Sequence, residues 1–138
     1  MSDTLQEALA VGKQLVEYIN PENCRFRDAI VDLYADDAKH IEACDMGPDM
    51  PQITDGKEAI LKMSDWWESV HEVHGHEVKG PYPHGNGSFA TWMSLDVTAK
   101  EGPMANQRMQ MQEVCVYGVK DGKISQVEFY WDPTESGE

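Results

Sequence analysis

The hydrophobic pattern of the chain changes its period near residue 71, and this change limits which folds the chain can adopt. Before His71, apolar residues recur at intervals of three and four, which is typical of amphipathic helices. After His71, apolar and polar residues alternate in segments that glycine and proline separate, which is typical of strands. Helices followed by consecutive strands favour an α+β fold in which the sheet curls around the helices.

Three helices are expected before the change of period. Thr4-Leu-Gln-Glu7 has the form of a capping box and precedes the first apolar stripe. Asn20-Pro21 ends that helix and can start a second one, which should stop near Ala35 because the aspartates after it suit a helix C-terminus poorly. A further cap signal at Asp55 opens the third helix. The expected elements are helices over 5–19, 21–35 and 56–70, a short strand over 38–43 and a loop over 44–55.

Four strands are expected after the change of period. Asp121-Gly122 gives the strongest hairpin signal, because a type I′ turn requires positive φ at two consecutive residues. The expected strands cover residues 72–80, 88–100, 107–120 and 123–131 and form a meander. A chain of 138 residues suits one domain, so we expect a single domain over 1–138 with its core over about 5–132.

The order of these elements resembles the SnoaL-like group of the nuclear-transport-factor-2-like superfamily. The resemblance rests on the helix start Gly56-Lys-Glu-Ala-Ile60 and on residues 111–124 followed by Glu128-Phe-Tyr-Trp131. It implies a cone-shaped α+β barrel, with three N-terminal helices packed in the concave face of a curved, mostly antiparallel sheet. Relatives include polyketide cyclases, ketosteroid isomerases, dehydratases, epoxide hydrolases and non-catalytic binding domains. Most of them act without a metal, so the resemblance implies no cofactor.

The charge balance restricts the partners. With 11 basic and 25 acidic side chains, the formal charge is −14, which disfavours binding to nucleic acid or to anionic membranes. The acidic N-terminus has no apolar signal stretch, and no apolar run approaches the length of a membrane helix. Three cysteines without metal-type spacing indicate reduced thiols. These features predict a cytoplasmic protein.

Glu113 is the principal candidate for chemistry. In the strand over 107–120 it shares a face with apolar or weakly polar side chains: Met109, Met111, Cys115, Tyr117 and Val119. A carboxylate in such surroundings loses hydration, which raises its pKa and lets it exchange a proton near neutral pH. Two alternatives remain open, namely a structural hydrogen bond at Glu113 or partial exposure near the sheet edge.

Glu128 is the second candidate. Strand parity groups it with Ile124 and Tyr130, so Glu128 and Tyr130 line the cavity beside Glu113 if that face is concave. Two carboxyl groups in a dry cavity would separate their pKa values, one acting as base and one as acid. The resemblance also implies an acidic residue on a late strand, for which Glu128 is the nearest match. The alternative is that Glu128 faces water while Phe129 packs in the core.

Histidines cluster in the segment His71-Glu-Val-His-Gly-His-Glu77. On a regular strand Glu72, His74 and His76 would point the same way, and His-x-His pairs can chelate divalent metals. A metal-dependent function is therefore one hypothesis. The others are histidines that face solvent or the pocket rim, or a proton carrier at His74.

Aromatic and methionine side chains supply candidate ligand contacts. They are Trp66, at the end of the third helix, and Tyr34, Met111, Tyr117 and Tyr130. Trp92 lies on the more polar face of its strand, where a partner explains an exposed Trp better than solvent does. We therefore expect a homodimer through the outer sheet face.

The chain lacks glycine-rich phosphate loops and the Gly-x-Ser-x-Gly nucleophile motif. It predicts a domain that binds a small apolar or aromatic molecule and acts as a cofactor-independent lyase, isomerase or cyclase on a carbonyl compound. The alternative is a non-catalytic ligand-binding or dimeric interaction domain of the same fold. A closed, dry cavity without a second polar group near Glu113 would favour the binding domain.

Overall fold

Helices occupy the first part of the chain and strands the second, as the change of period predicts. The computed structural model describes residues 3–134. The helices are α1 (Asp3–Ile19), α2 (Phe26–Leu33) and α3 (Lys57–Ser69). The strands are β1 (Tyr34–Ile41), β2 (Ile53–Asp55), β3 (His71–Pro83), β4 (Ser88–Ala99), β5 (Arg108–Lys120) and β6 (Lys123–Tyr130). Within residues 3–134, each helix is too short or too polar to cross a membrane.

All six strands form one sheet in the order β2-β1-β6-β5-β4-β3. The meander from β3 to β6 is antiparallel, while β1 joins the free side of β6 in parallel orientation. The short β2 then extends the sheet beyond β1. The predicted α+β class, with three helices against a curved and mostly antiparallel sheet, is confirmed.

The inner face of the sheet packs against the helices and forms the core. Helix α1 contributes Ala8, Val11, Leu15 and Ile19, and the sheet contributes Phe89, Met93, Cys115, Tyr117, Ile124 and Val127. Gly12 allows this contact to be close, because a Cβ there would lie 2.6 Å from Pro81 Cβ and 3.0 Å from Phe89. Helix α1 therefore rests directly on β3 and β4, and the opposite face of the sheet is the outer face.

The segment between α1 and β1 differs from the prediction. The Asn20 side chain accepts hydrogen bonds from the N–H groups of Glu22 and Asn23, and it thereby closes a turn instead of capping a helix. Helix α2 begins only at Phe26 and ends at Leu33. Tyr34, expected on the second helix, is the first residue of β1. The expected loop over 44–55 contains β2, which is too short to show a period of its own.

Candidate functional site

Glu113 lies on the inner face of β5, opposite Met93 of β4. On one side of it along the strand, Cys115 and Tyr117 are fully packed in the core. On the other side, Met111 is half-buried on the same face. Glu113 is itself half-buried, so it lies where the closed core of the inner face gives way to a more accessible end.

The surroundings of Glu113 favour its protonated form. Burial is the main cause, and together with the negative charge of Glu42 it raises the pKa of Glu113 from 4.5 to about 7. The Cys115 thiol donates a hydrogen bond to Glu113 Oε1 at 3.7 Å, which opposes the rise in pKa. Both protonation states of Glu113 are therefore populated near neutral pH.

A buried pair, His40 and Glu42, lies at the end of β1. Their exposed fractions are 7% and 5%. His40 Nε2 is 2.8 Å from Glu42 Oε1, and Trp131 Nε1 donates to Glu42 Oε2 at 3.0 Å. The His40 ring packs on Phe129, with ring centroids 4.4 Å apart. Phe129 pairs with Cys115 of β5, so this cluster belongs to the inner face.

The sheet register brings the pair and Glu113 to the same end of the inner face. The last residue pair between β5 and β6 is Val114 with Tyr130. Trp131 follows Tyr130, and Glu113 precedes Val114, so Trp131 lies at the level of Glu113 and on the same face. Trp131 in turn bonds Glu42. A second polar group is thus present close to Glu113.

His40 and Glu42 were not among the predicted site residues. The sequence carries no clear signal for them, because the other residues of the expected strand over 38–43, Lys39, Ile41 and Ala43, are no more polar than Ala38, His40 and Glu42. Only the parallel pairing of β1 with β6, which sets His40 opposite Val127, shows that this face is the inner one.

Tyr34 and Tyr117, two candidate ligand contacts, lie in the core beside Cys115. Their exposed fractions are 6% and 3%. Burial, together with the neighbouring Cys115, raises the pKa of both hydroxyls, so these hydroxyls stay protonated. The Tyr117 ring stacks on Phe89 at 4.8 Å. Both tyrosines lie on the packed side of Glu113, and their contact with a ligand stays a prediction.

Strand parity grouped Glu128 and Tyr130 with the inner face, but they lie on the outer face while Phe129 packs against the core, as the alternative for Glu128 has it. Ser125 is an extra residue in β6, because Gly118 pairs with Gln126 whereas the next residue, Val119, pairs with Ile124. One extra residue reverses the parity of the strand beyond it. Ile124 therefore faces inward, while Glu128 and Tyr130 face outward, and the Tyr130 hydroxyl lies 3.3 Å from Glu128 Oε2.

A second bulge separates the histidines of β3. Val73 pairs with Val97 and Gly75 with Asp96, which leaves His74 as the extra residue. His74 Nε2 lies 2.7 Å from Thr98 Oγ1, and His74 is exposed, as one of the alternatives for these histidines has it. The proton-carrier role of His74 stays a prediction. His76 instead turns inward and reaches the Ile19 carbonyl at 2.6 Å. Within residues 3–134, no three His, Cys, Asp or Glu side chains are grouped as in a metal site.

Two candidate ligand contacts remain half-buried and available. Met111 lies on the inner face of β5, opposite Leu95 and one step from Glu113 on that face. Trp66 lies in the last part of α3. Its neighbour Trp67 stacks on His71 with ring centroids 4.2 Å apart. The roles predicted for Met111 and Trp66 stay predictions.

The SnoaL-like domain family matches residues 13–131 of the chain. A crystal structure from Mesorhizobium loti, described as a candidate SnoaL-like polyketide cyclase, is 37% identical to it. That alignment covers 88% of this chain and 97% of the other, with a TM-score of 0.78. The chain belongs to the SnoaL-like domain family. This result confirms the resemblance inferred from the sequence.

More distant structures share the fold of this SnoaL-like domain. A candidate polyketide cyclase from Xanthomonas campestris is 18% identical, with a TM-score of 0.68 and coverage of 97% of this chain and 96% of that one. A candidate isomerase from Bacillus subtilis is 14% identical, with a TM-score of 0.66 and coverage of 99% and 98%. No curated protein matches the chain significantly. The fold is thus shared by proteins described as cyclases and as isomerases, and the function must be argued from the site.

Proposed function

We propose that this SnoaL-like domain binds a small, largely apolar carbonyl compound at the Glu113 end of its inner face and transfers a proton on it. The reaction would be that of a cofactor-independent lyase, isomerase or cyclase. One observation carries the proposal. Glu113 is a carboxyl group within the protein whose pKa is raised to about 7, which suits a group that must both accept and return a proton near neutrality.

The proposed chemistry requires little beyond this carboxyl group. Ionised Glu113 takes a proton from the carbon next to the carbonyl, and the electron pair of that C–H bond moves toward the carbonyl oxygen. The neutral Glu113 that results then returns the proton to the same or another carbon. Met111 and Trp66, both half-buried, would supply apolar contacts. The negative charge passes from Glu113 to the carbonyl oxygen and back, so the net charge of the site is the same before and after the reaction.

The buried pair of His40 and Glu42 favours this function over a purely structural role of Glu113. Its carboxylate adds to the rise in the pKa of Glu113 that burial causes. The alternative, a non-catalytic binding domain, is favoured by the half-buried Met109 and Met111, because methionine adapts its shape to different ligands. Proton transfer distinguishes the two functions.

Exchange of deuterium into simple ketones tests the proposed proton transfer without knowledge of the natural substrate. Acetophenone or cyclohexanone is incubated in D₂O near neutral pD, and loss of the hydrogens next to the carbonyl is followed by proton NMR. We expect the protein to accelerate exchange and the Glu113→Gln variant to lose roughly 100-fold or more of that acceleration, the usual scale for a general base.

Glu77→Gln provides the matched control. It removes one carboxylate from an exposed position of β3, opposite Ser94 and away from the inner face. Its exchange rate should equal that of the unmodified chain. Two results would contradict the enzymatic proposal and favour the binding domain. One is an equal exchange rate for Glu113→Gln and the unmodified chain, and the other is no acceleration above buffer for either ketone.

A further inference from the structure

The positively charged side chains lie away from the inner face. The chain has 11 lysines and arginines, all within residues 3–134, and none of them is buried. Several are engaged at the surface, such as Arg27 with Asp65 and Arg108 with Asp96. Of the five histidines, which also lie within the described residues, only His40 is buried. Among the residues that the structure describes, no lysine or arginine is therefore enclosed in the core beside Glu113.

Glu42 supplies a fixed carboxylate at this same end of the inner face. Each of its oxygens has a partner, Oε1 at 2.8 Å from His40 Nε2 and Oε2 at 3.0 Å from Trp131 Nε1. With 5% of its surface exposed, Glu42 cannot turn into solvent without breaking both bonds. The position of this carboxyl group is thus set by the fold, as is required of a group that discriminates between ligands.

Glu42 also faces an accessible hollow. A depression of about 390 Å³ lies where β1 and β6 end. Glu42, Phe129 and Trp131 contribute to its wall. Glu42 is at the same time close enough to Glu113 for its charge to act on that carboxyl group. Glu42 is therefore close both to this hollow at the end of the sheet and to the proposed proton-transfer group.

We propose that Glu42 determines ligand specificity, making the site accept uncharged carbonyl compounds and reject organic anions. This inference rests on the proposed function, because it requires that the ligand lie beside Glu113. A carboxylate ligand would meet the Glu42 carboxylate in surroundings of low dielectric, where like charges repel more strongly than in water. An uncharged carbonyl compound avoids this repulsion, and its oxygen can accept a hydrogen bond from protonated Glu113.

Acetophenone and benzoate test the inference, because they have nearly the same shape and differ in charge. Their dissociation constants are measured by protein-observed NMR titration at pH 6 in 0.15 M salt. At this pH most Glu113 is protonated and adds no charge of its own, whereas benzoate is ionised. We expect acetophenone to bind at least 10-fold more tightly than benzoate. In Glu42→Gln this ratio should fall below 3-fold, through tighter binding of benzoate. Glu42→Met, which removes the charge but keeps the side-chain length, should give the same result and serves if the amide variant does not fold.

Glu77→Gln separates the local effect from the overall charge. It changes the net charge of −14 by one unit, as Glu42→Gln does. If the net charge of the whole chain rejected benzoate, the two variants would therefore bind benzoate equally well. We expect Glu77→Gln to keep the 10-fold ratio. Any of three results would overturn the inference. The first is binding of benzoate within 3-fold of acetophenone by the unmodified chain, the second is a binding ratio that neither Glu42 variant lowers, and the third is no binding of acetophenone.

The outcome is distinguishable from that of the proposed function. Deuterium exchange reports proton transfer by Glu113, whereas the binding ratio reports discrimination by Glu42. A chain that rejects benzoate but does not accelerate exchange would support the inference and contradict the enzyme. A chain that accelerates exchange and binds benzoate as well as acetophenone would support the enzyme and contradict the role of Glu42.

Discussion

At the scale of single residues, Glu113 links the proposed chemistry to the stability of the fold. Its pKa is about 7 in the folded chain and close to the ordinary value of 4.5 in the unfolded chain. Between these values the folded state binds more protons than the unfolded state. The free energy of unfolding must therefore fall as the pH rises from about 4.5 to about 7, and it stays low above that range.

Replacing Glu113 by glutamine should remove this fall in the free energy of unfolding with rising pH. The amide resembles the protonated carboxyl group, so Glu113→Gln and the unmodified chain should have similar stability near pH 4.5. At pH 8 the variant should be more stable by up to about 3 kcal/mol, which is the energy equivalent of the pKa difference. Urea unfolding at the two pH values measures both quantities, with Glu77→Gln expected to follow the unmodified chain. If Glu113→Gln and the unmodified chain differ in stability by the same amount at both pH values, ionisation of Glu113 does not destabilise the fold.

At the scale of elements, the contact between α1 and the sheet depends on the missing side chain of Gly12. A Cβ at this position would lie within 3.0 Å of atoms of Pro81 and Phe89. Alanine is the better helix former by roughly 1 kcal/mol, so helix propensity alone predicts that Gly12→Ala stabilises the chain. Overpacking opposes that gain, because the proline ring and the buried Phe89 have little room to move.

We expect overpacking to outweigh helix propensity at Gly12. Gly12→Ala should lower the free energy of unfolding by about 1–2 kcal/mol, as measured by urea unfolding at constant pH. Gln14→Ala, at an exposed position of the same helix, serves as the control and should change stability by less than about 0.5 kcal/mol. A Gly12→Ala variant more stable than the unmodified chain would show that α1 does not approach β3 and β4 so closely.

Strand parity predicted the face of a side chain correctly in β5 and incorrectly in parts of β3 and β6. Alternation placed Glu113 on the face of Cys115 and Tyr117 because β5 pairs with β4 without a bulge. The same rule failed in β6 and β3, where Ser125 and His74 are inserted. A bulge depends on how two strands pair, and a single strand carries no pattern that reveals it. Strand parity therefore grouped Glu128 and Tyr130 with the inner face, although they lie on the outer face, and it grouped His74 with His76, although the bulge separates them.

At the scale of the whole molecule, the order of elements was predictable because it follows from the change of period, which many residues establish together. The cluster of His40 and Glu42 was not, since it depends on contacts between β1, β6 and the residue that follows β6. The predicted elements are local in sequence, whereas the site is built from segments about 90 residues apart. Family resemblance supplied the cone-shaped fold but not these residues.

We propose that the outer face of the sheet is the contact between two copies of the chain, as expected from Trp92. Three side chains stand directly opposite one another across β4, β5 and β6: Trp92, Val114 and Tyr130. Val114 and Tyr130 are 41% and 55% exposed. Lys79 lies over the Trp92 ring at 4.8 Å and Glu128 beside Tyr130, so charges of both signs flank the apolar strip. A second copy related by a twofold axis could match both features.

Replacing Val114 should disrupt this contact. A lysine there would bury a charge in the middle of the apolar strip, so Val114→Lys should be monomeric at concentrations where the unmodified chain sediments as a dimer. Val31→Lys is the matched control, because Val31 is also 41% exposed but lies on α2. Each copy carries a formal charge of −14, so added salt should tighten the dimer by screening repulsion between the copies. Analytical ultracentrifugation at two salt concentrations measures both effects. Equal sedimentation of Val114→Lys and Val31→Lys would contradict the proposal that the outer face is the dimer contact.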